Sequence, residues 1–263
     1  MSTFTPVLCK NCNSPVEGNY CPECGQAKKT ERLTFRNILK DFAEQVTELD
    51  TGFLRTLKDL TLQPGHMVRA YVLGQRKPYM RPFQFYLLML AVYFAFNEVL
   101  DIDPMEASNQ LVEKMNPSGM SKRQQEAQAI SSQLMGKNIK LMLSLLLVTQ
   151  AFSLRLLYRK SGLYLAEMFV ITLFMTGYQY IFFLVASLSV LVLDYGKAYW
   201  ILYGVVSMGT LIHSTWSIVQ FFNGKGIRFI FKASLAVLTS LVFYILFAMV
   251  VGMAIGFYSY VKR

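Results

Sequence analysis

Apolar residues run almost unbroken through residues 83–100, 139–158, 163–193, 198–222 and 229–259. Crossing a hydrocarbon core takes about 20 helical residues, and these runs are continuous rather than alternating. Only segments that satisfy their own backbone hydrogen bonds persist in lipid, so continuous runs imply helices and not a barrel. The pattern predicts an all-α integral membrane protein with about five transmembrane helices. The run at 163–193 is long enough to tilt or to include an interfacial turn. Residues 33–60 follow another rule. Leu33, Phe35, Ile38, Leu39, Phe42, Val46, Leu49, Phe53, Leu57 and Leu60 recur at steps of three and four, with Arg36, Lys40, Glu44, Arg55 and Asp59 between them. This predicts an amphipathic helix, or two with a break at Asp50-Thr51-Gly52, lying on the bilayer or packed on the spans. Pro64-Gly65 ends that region, and a short helix from His66 to Leu73 stops at Gly74.

Between the first two runs, residues 101–138 are polar. Asp103-Pro104-Met105-Glu106 and Ser121-Lys122-Arg123-Gln124 each offer a capping box around a break at Asn116-Pro117-Ser118-Gly119, which predicts a helical hairpin. Charge then gives an orientation. The net charge is +10, and 12 of the 26 Lys and Arg precede Phe83. Placing the N-terminus in the cytoplasm also puts Arg155, Arg159, Lys160, Lys225, Arg228 and Lys232 inside, as the positive-inside bias requires. The basic segment abuts a span, so anionic lipid is its expected partner and nucleic acid is not. No signal peptide is expected, which leaves the first span as its own insertion signal.

The chain has four cysteines, and all lie within its first 24 residues as Cys9-Lys-Asn-Cys12 and Cys21-Pro-Glu-Cys24-Gly25. Two CxxC pairs can close one tetrahedral S4 site, which selects zinc or iron. A redox CxxC or two disulfides are the alternatives, but a reducing cytoplasm disfavours disulfides. One structural Zn2+ held by Cys9, Cys12, Cys21 and Cys24 is expected, in a closed site that folds a small module and does not catalyse. The chain then divides into a zinc ribbon over residues 1–28, amphipathic helices and a basic collar over 29–82, and a helical membrane domain over 83–263.

Residues 9–90 resemble the domain-of-unknown-function family numbered 3667. The matching stretches are the two CxxC pairs with Gly25-Gln26, Leu49-Asp50-Thr51-Gly52-Phe53-Leu54, Pro64-Gly65, Tyr71-Val72-Leu73-Gly74-Gln75-Arg76-Lys77-Pro78-Tyr79 and Pro82-Phe83-Gln84-Phe85. The resemblance implies a zinc-ribbon-containing protein of the bacterial cytoplasmic membrane. It implies no activity, and it marks Pro64 to Phe85 as a stretch with a specific role.

Three sets of residues remain as candidate chemistry. Arg76, Lys77, Tyr79 and Arg81 form a cationic collar before the first span, read either as an anion or lipid-headgroup site or as a topological stop. Glu167 and His213 fall within spans, where ionisable groups mark function or are satisfied locally. Gln150, Gln179 and Gln220 are read as helix-to-helix hydrogen-bonding residues, and Ala248, Gly252 and Gly256 as a packing face within the bundle or between copies. No HExxH, GxSxG, Walker loop or paired acids on one helix face are present. The sequence thus points to a non-enzymatic membrane protein whose cytoplasmic module binds a protein partner or senses the membrane surface. The alternative is a small transporter, channel or lipid-handling protein working through Glu167 and His213.

Overall fold

The computed structural model describes residues 7–30, 32–38, 52–102, 139–193 and 197–261, the side chains of 139–143, 197 and 251–261 excepted. A two-stranded antiparallel ribbon pairs β1 (Val7–Leu8) with β2 (Pro15–Val16). The helices are α1 (Phe53–Leu62), α2 (Pro64–Leu73), α3 (Pro82–Val99), α4 (Ile139–Leu157), α5 (Leu165–Leu193), α6 (Lys197–Phe221) and α7 (Ile227–Val261). The predicted hairpin at 103–138 and the middle of the 33–60 helix lie outside the described residues, apart from a helical turn at 35–38.

Helix α5 is the centre of the bundle and packs against α3, α4 and α6, while α7 packs against α4 and α6. Its apolar window is 67% buried against 22% for that of α7, so α5 is covered by protein and α7 faces outward. The contacts on α5 are largely aromatic. Phe174 meets Phe85 at 5.9 Å and Tyr71 at 5.3 Å, and Tyr180 meets Tyr86 and Tyr93 at 5.9 and 5.6 Å. Tilted and edge-on rings at these separations add attraction to close packing.

Three helices, α3, α5 and residues 227–250 of α7, are long and apolar enough to cross a membrane. The sequence predicted about five such helices. The difference lies in α4, whose described apolar part is Ser144–Leu157, and in α6. Helix α6 carries Ser207, Thr210, His213, Ser214, Thr215, Ser217 and Gln220. Several of these bond neighbouring helices: Gln179 Nε2 donates to Ser214 Oγ at 2.7 Å, and the backbone N–H of Gly65 donates to Gln220 Oε1 at 3.0 Å. Thr176 Oγ1 donates to Gln150 Oε1 at 3.1 Å in the same manner. All three glutamines thus join helices, as their isolation in apolar runs suggested.

The amphipathic segment packs on protein. Helices α1 and α2 form a wedge against α5 and α6. The break falls at Pro64 as predicted: α1 ends at Leu62, and Pro64 opens α2 at its first turn, where a missing N–H costs nothing. The next residue must be glycine, since a Cβ at position 65 would run into the Ser217 carbonyl of α6. The wedge reaches His213, whose Nε2 donates to the Leu60 carbonyl at 3.1 Å, and Tyr178, whose hydroxyl donates to Thr61 Oγ1 at 3.1 Å. His213 is eight residues from the end of α6, about 12 Å along its axis.

One end of the bundle gathers the start of α3, the α4–α5 and α6–α7 turns, and α2. Tyr158, just past α4, stacks on Phe222 at 4.2 Å, with the Lys232 ammonium over its ring at 4.4 Å. Arg69, Arg76, Arg81, Arg155 and Lys225 belong to this basic end. Of the proposed small-residue face, only Ala248 has a described side chain; the packing of Gly252 and Gly256 lies outside the described residues.

Candidate functional site: a four-cysteine centre docked on a basic collar

Two turns of the same design bring the cysteines together. In the first, Cys9 N–H donates to Ser14 O and Asn13 N–H to Cys9 O, both at 2.9 Å. In the second, Cys21 N–H donates to Gln26 O at 2.8 Å and Gly25 N–H to Cys21 O at 2.9 Å. The residue after each second cysteine is left-handed, Asn13 at φ 62° and Gly25 at φ 69°. Asparagine and glycine are the residues that adopt this conformation most readily.

The four Sγ atoms lie within 4.8 Å of one another. Cys9 and Cys24 are 3.6 Å apart, and Cys12 and Cys21 are 3.5 Å apart, so the thiols are free and adjacent. A tetrahedral S4 site with metal–sulfur bonds of about 2.3 Å has edges of about 3.8 Å. The cluster is therefore compatible with a metal site. The neighbouring groups set the thiols apart. Hydrogen bonds with the Ser14 side chain and then its backbone pull the Cys12 thiol down to about 6. The Cys24 backbone pulls Cys21 down as well, but burial and the neighbouring thiols outweigh it and push Cys21 up to about 11. Thiols crowded this closely share protons that a bound metal would displace.

The residue after the second turn anchors the module. Gln26 is buried, and its Oε1 accepts the backbone N–H of Arg76 at 3.2 Å and of Lys77 at 3.3 Å. One amide oxygen thus satisfies two donors left exposed where α2 stops. That stop is Gly74, at φ 115°, and a Cβ there would sit 2.8 Å from Lys10 Cδ of the first cysteine turn. The backbone conformation requires glycine, and the Lys10 stem would have to shift for any larger residue.

A second anchor follows the module. Arg32 grips Glu167 with both edges, Nε to Oε1 at 2.8 Å and Nη2 to Oε2 at 2.9 Å. Its Nη2 also donates to Gly162 O at 2.6 Å, and its guanidinium lies 3.6 Å over the Tyr164 ring. Glu167 is buried at the third position of α5 and accepts the Tyr164 backbone N–H at 2.7 Å, closing the first turn of the helix. Beside this anchor, Leu33 and Ile38 enter the bundle core and Phe35 meets Phe169 at 5.6 Å.

Glu167 and His213 do not bond each other; each has a partner on another element. The collar residues likewise lean on different neighbours. Arg76 lies 5.8 Å over the Tyr71 ring, and the Lys77 stem lies near Gly25. Tyr79 faces Arg55 and Asp59 of α1, where burial first and then the Asp59 carboxylate hold its hydroxyl above the usual range. Arg81 caps α3 and borders a small hollow with Leu33, Ile38 and Phe83. Sequence reasoning missed Gln26 and Arg32. The Glu at the third helical position was a readable capping signal, but its arginine lies 135 residues away.

No curated protein and no solved structure matches the chain. Residues 50–94, the segment that carries the α1–α2 wedge and the collar, match the family model described as "Protein of unknown function (DUF3667)", the family that the sequence resembles.

Proposed function

We propose that the chain is a non-enzymatic, multi-pass protein of the bacterial cytoplasmic membrane whose N-terminal module is a zinc ribbon held at the inner surface to bind a protein partner. In this reading α4 and α6 also cross the bilayer, giving about five spans, with the N-terminus in the cytoplasm and the C-terminus outside. The basic end of the bundle supports this orientation, because cations are retained on the cytoplasmic side. The observation that carries the reading is the Gln26 contact, since the amide that seats the module on the collar is part of the second cysteine turn. Zinc would fix that turn and so fix the seat. The module exposes Val7, Leu8 and Tyr20, at 51%, 58% and 68%, apolar surface available to a partner. A transporter built on Glu167 and His213 draws no support from their separate partners.

Hydrogen exchange on the full chain in nanodiscs tests the coupling. Removing zinc with a chelator should speed exchange at the Arg76 and Lys77 amides, and Gln26→Ala should do the same with zinc retained. Unchanged exchange in both would end the proposal that metal and seat are linked. Anion binding by the collar has its own test. Arg76→Lys with Arg81→Lys keeps the charge and removes the bidentate fork, so weaker retention of anionic lipid would assign the collar a headgroup and equal retention would leave it a topological stop.

A further inference from the structure

Between the first cysteine turn and the bundle lies an open cleft of about 440 Å³, lined by Lys10, His66, Arg69, Ala70, Leu73, Gln75 and Asn223. We infer that this cleft binds a phosphate-bearing ligand, with Lys10 of the module and Arg69 of α2 as its charged contacts. Its volume falls in the range of small-molecule sites, about 300–1,000 Å³, and so accommodates more than a bare ion. The lining contains two cations, a histidine and two amides and, among the described residues, no carboxylate.

The charged groups are held and still have donors to spare. Arg69 Nη1 donates to the Phe221 carbonyl at the end of α6 at 2.7 Å, which leaves most of its five N–H groups for a ligand. Lys10 Nζ donates to Thr30 O at 3.1 Å and has further protons to give. His66 and Arg69 are three residues apart on α2 and so share a face, with Leu73 one turn beyond. Arginine can fork two hydrogen bonds onto one phosphate, and cations held in place lose less entropy on binding. Ala70 and the exposed Leu73 offer an apolar wall for the carbon part of the ligand. None of these residues belongs to the Arg76–Arg81 collar, so the cleft stands or falls separately from it. Because Lys10 sits between Cys9 and Cys12, a ligand here would bridge the metal-binding module and the helical body.

The shared chemistry is a phosphate group; its source could be a lipid headgroup or a soluble phosphate compound. Calorimetric titration of the full, zinc-loaded chain in zwitterionic nanodiscs separates them, using inorganic phosphate, glycerol 3-phosphate and dihexanoyl phosphatidylglycerol as probes. At least one probe should bind, and Lys10→Gln should weaken it about tenfold, as loss of one charge-assisted hydrogen bond implies. Arg69→Gln should weaken it at least as much, and Arg76→Lys with Arg81→Lys should not change it. Tighter binding of the phosphatidylglycerol assigns a headgroup, and equal or tighter binding of glycerol 3-phosphate assigns a soluble ligand. Arg69 also holds α6, so Lys10→Gln and His66→Gln, both on exposed residues, decide the matter if Arg69→Gln fails to fold. Absence of binding by all three probes, or wild-type affinity in both Lys10→Gln and His66→Gln, would overturn the inference.

Discussion

The cysteine module and the helical bundle solve the problem of staying folded in different ways. The module has almost no interior among the described residues: Cys9, Val16 and Cys21 are the apolar cluster buried there, with Cys24 against them. So small a core cannot offset the entropy of ordering the chain, and proteins of this kind need a metal or cross-link. The bundle has a continuous interior around α5, with Phe85, Leu173, Phe174 and Tyr180 essentially out of contact with solvent. It holds by contact and by buried hydrogen bonds between helices. One region gathers four sulfur atoms in place of a core, and the other spreads its packing over dozens of side chains. The two meet at Gln26 and Arg32.

The largest expected effect falls on the module alone. Cys9→Ser with Cys21→Ser should lower bound zinc from about one per chain to about zero by elemental analysis, since a structural S4 site needs all four ligands. Amides at 7–30 should then exchange freely, while those of α5 keep their protection. Loss of protection in α5 would mean that the bundle also needs the metal, and the contrast would fail.

Next in size is a change confined to the bundle. Gly65→Ala pushes a methyl group into α6 backbone, and overpacking of this kind costs about 1–3 kcal/mol. The melting temperature in detergent should fall with zinc content unchanged; a melting temperature equal to wild type would show that α2 and α6 separate easily.

Glu167→Ala probes the junction. Loss of the hydrogen bond that closes the first turn of α5 should cost about 1–2 kcal/mol. It also frees Arg32, so proteolysis between the module and the bundle should quicken. If cleavage does not change, Gln26 alone seats the module.

The smallest effect concerns Tyr79. Its hydroxyl is held above the ordinary value, chiefly by burial, so folding favours the neutral form. That contribution is complete below the unfolded value of about 10 and is lost as pH rises through it toward the folded value. Melting temperatures between pH 8 and 11 should fall more steeply for wild type than for Tyr79→Phe, with a difference at pH 8 below about 1 kcal/mol. Parallel curves would mean that Tyr79 is solvated in the membrane-bound protein.

What could be read from sequence follows the same division. The four-cysteine cluster was legible because it is local: its four residues lie within 16 positions. Gly74 as a helix stop and the single glutamines as links between helices were legible for a similar reason, since each residue type has few alternatives in its setting. The anchors were not. Gln26 bonds to backbone N–H groups 50 and 51 residues away, which leave no residue type to recognise. Helix α6 was legible as a long run with scattered polar positions, but the partners of those positions were not: Ser214 accepts from Gln179 of α5, Gln220 accepts from Gly65 of α2, and Thr215 meets Ser234 of α7.

Gln26 recognises main chain, and this separates two traits that share a stretch of sequence. The side chains at 76 and 77 could change in size or sign without removing either N–H from its acceptor, provided Gly74 still turns the chain and neither position becomes proline. The seat is thus portable. A six-residue segment ending in the same turn, grafted after another helix, offers the same pair of donors to the same amide, while the charge displayed around it can be chosen independently.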